Sequence, residues 1–265
     1  MSPRVRPAAV AGTFYPARGD ELRRVIAACF EGARRPAHQA RRPPKVLVVP
    51  HAGLVYSGPV AASAYALLAD AGEQVRRVVL MGPSHRVPLR GMAVPSVDAF
   101  ETPLGRVAID AAARDVALTA PGVVVDDAAH AWEHSLEVQL PLLQTVLDDF
   151  TILPLVTGPV RESEVSGVLE ALWGGPETLF VISTDLSHYH PYVDAAELDR
   201  ATAEAVVAGC GDRIGDRDAC GVHALRGLLA VTRRRHLVVE LVDLRSSGDT
   251  AGDRDRVVGY GAFAA

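Results

Sequence analysis

The chain has 265 residues, 49% of them hydrophobic, and a formal net charge of −5. That is enough apolar material for a sizeable core, and a charge this mild gives no electrostatic footprint for nucleic acid or an acidic membrane surface. No apolar run approaches the ~20 residues of a membrane span. With three cysteines and no signal peptide at its start, the chain is expected in a reducing cytoplasm, not as a disulfide scaffold.

The first predicted element is a helix capped by Asp20, with Leu22, Val25, Ile26, Cys29 and Phe30 at helical spacing. Cys29 therefore reads as a core residue. Ala33 to Pro44, rich in Arg and Pro and without periodicity, reads as an exposed loop. A short β-branched strand, Lys45 to Val49, runs into Pro50-His51-Ala52-Gly53 and is followed by a helix from about Pro59 to Asp70. A second apolar strand, Arg77 to Met81, runs into Gly82-Pro83-Ser84-His85. Gly91 to Ile109 reads as hairpin strands, with turn chemistry at Thr102-Pro103-Leu104-Gly105.

His130 to Leu147 has a helical pattern that Pro141 is expected to end or kink. A strand at Thr151 to Val156, a helix at Glu162 to Trp173 and a strand at Thr178 to Ser183 follow, the last running into Thr184-Asp185-Leu186-Ser187-His188. Helices at Ala195 to Val207 and Val222 to Thr232 precede closing strands at His236 to Asp243 and Arg256 to Ala262. This alternation predicts an α/β fold: one layered domain over residues 1–265, with a central mixed β-sheet flanked by helices on both faces.

His51, His85 and the Asp185/His188 pair all stand just past the ends of predicted strands. In open α/β sheets, ligand sites form outside the carboxyl ends of the strands, and the flanking Gly and Pro suit turns that bring side chains to that rim. His51 and His85 at matching strand ends are candidate metal ligands, against the reading of each alone as a satisfied structural histidine. Cys220 lies just ahead of a helix, where the helix dipole favours a thiolate; a buried structural thiol is the alternative.

A competing signal is His130-Ala131-Trp132-Glu133-His134, which spells the inverted zinc-protease pattern if it lies on one helix, with Glu133 as base. Its alternative is a polar helix face with His134 and Glu137 turned inward. The acidic stretch Ser247 to Asp255 reads as a turn, because its spacing fits no EF-hand. No Walker A loop and no nucleophile elbow is present.

Taken together, seven segments resemble the Memo family, known in prokaryotes as AmmeMemoRadiSam system protein B. They are Arg6 to Pro16, PHAG around His51, GPSHRVPL around His85, EHSLEVQLP from Glu133, STDLSHY from Ser183, the CG pair at Cys220, and GDRDRVVGYGAF near the end. The resemblance implies a fold like that of class III extradiol dioxygenases. It implies one metal ion on His51, His85 and Cys220, with Cys220 standing where those enzymes carry a carboxylate. His188, with Asp185 beside it, matches their acid/base histidine, and His134 and Glu137 are expected to orient the ligands from behind.

A thiolate in place of a carboxylate softens the site, so iron or copper are the expected ions and zinc the third. The implied function is a metal-dependent, oxygenase-like redox enzyme with a small-molecule or peptide ligand, working with radical SAM system proteins. The alternatives are metal-assisted hydrolysis and a copper- or iron-binding or peptide-binding protein without turnover. Val222 follows the CG pair where relatives often carry arginine, which weakens any anionic ligand carried over at that point. No role is read for His130, Cys210 or His223.

Overall fold

The computed structural model describes residues 3–34 and 43–265. Its centre is four adjacent parallel strands, β2 (Val46–Val49), β3 (Arg77–Pro83), β8 (Thr151–Thr157) and β9 (Thr178–Ser183), in the spatial order β8-β3-β9-β2. All four read as nearly unbroken apolar runs because both of their faces are covered. Their residues alternate between the two cores. Leu47, Val49, Val78, Leu80 and Val181 face one layer of helices, while Val46, Val48, Val79, Met81, Phe180 and Ile182 face the other.

The first layer holds α1 (Gly19–Glu31), α2 (Leu54–Tyr65) and α5 (Gln139–Val146); the second holds α3 (Ala111–Leu118), α6 (Glu162–Ala171) and α8 (Val222–Arg234). Between α3 and α5 lies the short α4 (Asp127–Ala131), and α7 (Tyr192–Val207) contributes Ala203, Ala205 and Val206 to the second core.

Antiparallel strands extend the sheet at both ends, which makes it mixed, as expected. Beyond β8, β6 (Gly105–Ile109) pairs in parallel, β5 (Ala99–Thr102) pairs with β6 through the hairpin at Thr102 and Gly105, and β1 (Val5–Arg6) lies on β5. Beyond β2, β12 (Val257–Ala264) runs antiparallel and carries both β11 (Glu240–Ser246) and the short β10 (His188–His190). β4 (Met92–Val94) pairs with β7 (Val123–Val125) and β8, not with the hairpin.

Several expectations are corrected. Asp20 is not the cap of α1: the helix starts at Gly19 after Arg18, and Asp20 sits in the first turn, 3.2 Å from Arg18 and 3.8 Å from Arg24. α2 starts at Leu54, five residues before Pro59, because the Leu54 N–H donates to Phe14 O and the Tyr56 and Ser57 N–H groups donate to Gly53 O. The carbonyl that Pro59 leaves without its helical N–H belongs to Val55, a residue 61% exposed, where water can serve it.

Pro141 ends no helix. It sits in the first turn of α5, where its missing N–H costs nothing. The break falls earlier, at 132–138, and is made by Glu133, whose carboxylate takes the N–H groups of His134 and Ser135. His236 does not open the last but one strand: with φ 55° it closes α8, and β11 begins at Glu240. The expected loop at Ala33 to Pro44 lies for the most part outside the described residues. Cys29 is buried in the first core, as read, and no helix among the described residues is long and apolar enough to cross a membrane.

Candidate metal centre

His51, His85 and Asp185 all lie two residues past the C-terminal ends of strands, β2, β3 and β9 respectively, and these three strands are neighbours in the sheet. The parallel arrangement therefore brings all three side chains to one rim. The donor atoms of His51, His85 and His134 lie within 4.8 Å of one another. His85 and His134 stack at 4.5 Å between ring centroids, and the His51 ring meets them edge-on at 5.2 and 5.5 Å. His134, expected behind the ligands, thus has a ring nitrogen inside the group.

Hydrogen bonding decides which face of each ring is presented. Tyr65 donates its hydroxyl to Gln139 Oε1, which fixes that amide, and Gln139 Nε2 donates to Pro50 O and to Ser183 Oγ. Ser183 gives its own proton to Ser135 O at 2.6 Å, since a carbonyl can only accept. The oxygen 2.9 Å from His51 Nδ1 has therefore no proton left to offer, so Nδ1 must carry the hydrogen and Nε2 the lone pair. His85 is set by the same logic. Its Nδ1 lies 2.8 Å from Glu133 Oε1, a carboxylate that only accepts, so its Nε2 is the free donor atom.

Glu133 organises this half of the site. One of its oxygens accepts the His85 backbone N–H at 2.6 Å, and the other accepts the His134 and Ser135 N–H groups at 2.9 Å besides the His85 ring. Burial by itself raises this carboxyl, but the His85 ring and the backbone N–H groups outweigh it and hold the group down to about 2. His134 Nδ1 stands 3.3 Å from the same carboxylate yet makes no hydrogen bond, although it is buried. Burial, reinforced by His85, pushes His134 down to about 4, and burial together with its two histidine neighbours pushes His51 well below the ordinary range. Both rings are neutral at physiological pH, the form in which imidazole binds a metal. Two lone pairs aimed inward beside an orphaned buried imidazole nitrogen fit a transition-metal ion of the kind that imidazole favours.

Cys220 reaches this group through His51, whose Nε2 lies 3.4 Å from its sulfur. The Asp185 N–H donates to the same sulfur at 3.2 Å, and Asp185 O accepts the Cys220 N–H at 3.1 Å. The Gly221 N–H donates to Thr184 Oγ1 at 2.8 Å. A Cβ at Gly221 would sit 2.8 Å from Ser183 O, so only glycine lets the start of α8 approach the end of β9 this closely. Burial, and then the Asp185 charge, push the Cys220 thiol up to about 12. The helix-dipole thiolate read from the sequence is outweighed, and without a metal the S–H proton can be donated to His51 Nε2.

Asp185 Oδ1 accepts the His51 backbone N–H at 2.7 Å. Burial pushes its carboxyl up to about 6, against the lowering effect of that N–H and of the charge on His188. His188 stands half-buried on β10, and its charge is felt at both Asp185 and His51.

Glu137 does not touch the donor group directly. Fully buried, it pairs with Arg6 at 2.5 Å, accepts the N–H groups of Ala9 and Val10, and accepts the Tyr15 hydroxyl. It thereby seats the N-terminal segment, whose Phe14 packs on His134 at 4.4 Å. His130 lies elsewhere: its Nε2 donates to Ala93 O, and α4 ends at Ala131, so the H-x-x-E-H residues share no helix and form no zinc-protease site. Asp249 accepts from Ser246 and Tyr192, which closes a turn as read.

Sequence reasoning missed the roles of Ser183, Gln139 and Arg6. Glu133 was noticed only as a base in the protease pattern.

A family model described as Memo-like protein matches residues 6–264. A MEMO1 family protein of Methanosarcina barkeri is 38% identical over 276 residues, covering 98% of this chain and 99% of its own. Another, from Aquifex aeolicus, is 37% identical over 276 residues, covering 97% of each chain. Among solved structures, an uncharacterized protein from Escherichia coli K12 shares the fold, with a TM-score of 0.52 at 16% identity, over 83% of this chain and 99% of that one.

Proposed function

This chain belongs to the Memo-like protein family, and on that premise we propose that it is a metal-binding protein with one transition-metal centre at the rim of its parallel strands. The observation that carries this reading is the mutual approach, within 4.8 Å, of donor atoms from His51, His85 and His134. Its support is the pair of hydrogen-bond networks that turn the His51 and His85 lone pairs away from Ser183 and Glu133. His51 and His85 are the shared ligands. His134 is the third donor in the arrangement described, and Cys220, on His51, supplies sulfur once its proton leaves.

Iron and copper are the ions we assign first, with zinc third, because imidazole suits all three and an added thiolate favours the softer ones. A bound metal would supply Lewis-acid or redox chemistry to a small organic ligand. The chain's own contribution is to fix the ligand tautomers, with His188 as the side chain that passes a proton to or from the ligand. We further propose a cytoplasmic setting and a role beside radical SAM system proteins.

Metal analysis after anaerobic purification tests the centre. The intact chain should carry close to one equivalent of iron or copper, and His51→Ala and His85→Ala should each lose it. Retention of metal by the double variant would refute the assignment. Comparing Cys220→Ser with His134→Ala identifies the third donor. Oxygen consumption then separates a catalyst from a sequestering protein: His188→Ala should keep the metal and lose turnover.

A further inference from the structure

Beside the histidine group a cleft of about 510 Å³ is lined by Ala9, Val10, Thr13, Phe14, Arg86 and Trp132. Its size suits a small organic molecule. Phe14 forms a shared wall, since it also packs on the His134 ring at 4.4 Å. Trp132 is 70% exposed, an unusual place for the largest apolar side chain. Its backbone is firmly held. Arg6 donates from Nε to His130 O and from Nη2 to Glu133 O, both at 2.7 Å, and so braces the backbone on either side of it. The neighbouring Glu133 is itself buried and saturated with N–H donors. The backbone that carries the indole is thereby fixed, and the exposed indole offers an apolar face that a flat ligand can cover.

Arg86 is the sole charged side chain of that lining, and it follows His85 directly. Among the described residues its guanidinium makes no hydrogen bond or ion pair, so its forked donors are available. The polar partner across the cleft, Thr13, gives its hydroxyl proton to Val10 O at 2.9 Å and can offer a ligand only lone pairs.

We propose that this cleft is a binding subsite for a small, flat, apolar carboxylate, the carboxylate on Arg86 and the flat body between Trp132 and Phe14. It deepens the metal-centre reading by naming the substrate class that would lie beside those histidines, but the binding itself does not depend on a metal.

The test uses the full chain treated with chelator, with benzoate as probe and benzamide as its uncharged counterpart. The chain has two tryptophans, and Trp173 stacks on Phe180, so fluorescence in a Trp173→Phe background reports on Trp132 alone. Benzoate should give a saturable change, and benzamide should bind about tenfold more weakly, the loss of one charged contact. Arg86→Met should weaken benzoate by a similar factor and leave benzamide unchanged, while Arg86→Lys should recover part of the loss. Calorimetry should show benzoate binding lost in Trp132→Ser. Absence of saturable benzoate binding, equal affinity for both probes, or an unchanged affinity in Arg86→Met would each overturn the proposal, as would recognition of peptides alone. His51→Ala separates the two readings: it should lose the metal and keep benzoate.

Discussion

His51 Nε2 and Cys220 Sγ stand 3.4 Å apart, brought together from segments 169 residues apart. Because Ser183 forces the His51 proton onto Nδ1, the hydrogen between nitrogen and sulfur can come only from the thiol. Burial keeps that thiol protonated, up to about 12.

The first expectation concerns thiol reactivity. In chelator-treated protein at neutral pH, the thiolate fraction of Cys220 is negligible and Cys29 is equally suppressed, pushed up by burial to about 11. Alkylation followed by mass spectrometry should therefore modify Cys210 well before the other two, although Cys210 and Cys220 are both half-buried as residues. Fast modification of Cys220 would mean that its proton is not held as described.

Ser183→Ala should strip three partners at once, His51 Nδ1, Gln139 Nε2 and Ser135 O. Each buried group left unpaired costs about 1–3 kcal/mol, so a loss of at least about 2 kcal/mol in urea unfolding is expected. Nitrogen NMR of the histidine rings gives a sharper readout: the intact protein should show His51 protonated on Nδ1, and the variant a mixture of tautomers.

Arg6→Met should be among the most destabilising single changes. It leaves the fully buried Glu137 carboxylate without its ion-pair partner and removes the bonds to His130 O and Glu133 O. Breaking a buried pair from one side costs about 3–5 kcal/mol. Glu137 keeps the Ala9, Val10 and Tyr15 donors, so the lower end of that range is expected. A change below 1 kcal/mol, on the order of an exposed pair, would contradict the hub assigned to Glu137.

Acid should destabilise the metal-free protein in two stages. His51, His130 and His134 are held neutral, the last two down to about 4. A group with a folded value below its unfolded one contributes stability present above the unfolded value, so theirs is complete above about pH 6.5 and is lost as pH falls; for His130 and His134 the loss runs down to about pH 4 and is on the order of 3 kcal/mol each at most. Asp185, raised to about 6, has the opposite sign and offsets roughly one histidine over the same window. Glu133, held down to about 2, adds a second loss that begins near pH 4.5 and ends near 2. Denaturant titrations across pH should show both stages, and Glu133→Gln should shrink the lower one, to which Asp110, Asp127 and Asp249 also contribute.

Gly221→Ala should push the start of α8 away from Ser183 and Thr184, whose atoms a Cβ would meet at 2.8 Å. Overpacking of this kind costs about 1–3 kcal/mol. Since Cys220 is the preceding residue, metal retention should fall together with urea stability.

The central strands were legible in the sequence because each is a short β-branched run buried on both faces, and β9 was read to the residue. The long helices were legible from their spacing, and the rim positions of His51, His85 and Asp185 from the Gly- and Pro-flanked strand ends. Three kinds of feature were not. β1, β7 and β10, of two or three residues each, are too short to show a period and exist only because a partner strand offers its hydrogen bonds. The start of α2 depends on Phe14 O, a distant carbonyl that no local pattern contains. The break at 132–138 arises because the Glu133 side chain outcompetes helical hydrogen bonding once His85 is beside it. The same holds within the site: residue type marked which side chains can donate to a metal, but the protonated nitrogen, the entry of His134 into the group and the protonation of Cys220 depend on burial and on partners from other segments. These are properties of the folded surroundings, because hydrogen bonds and desolvation act through space and not along the chain.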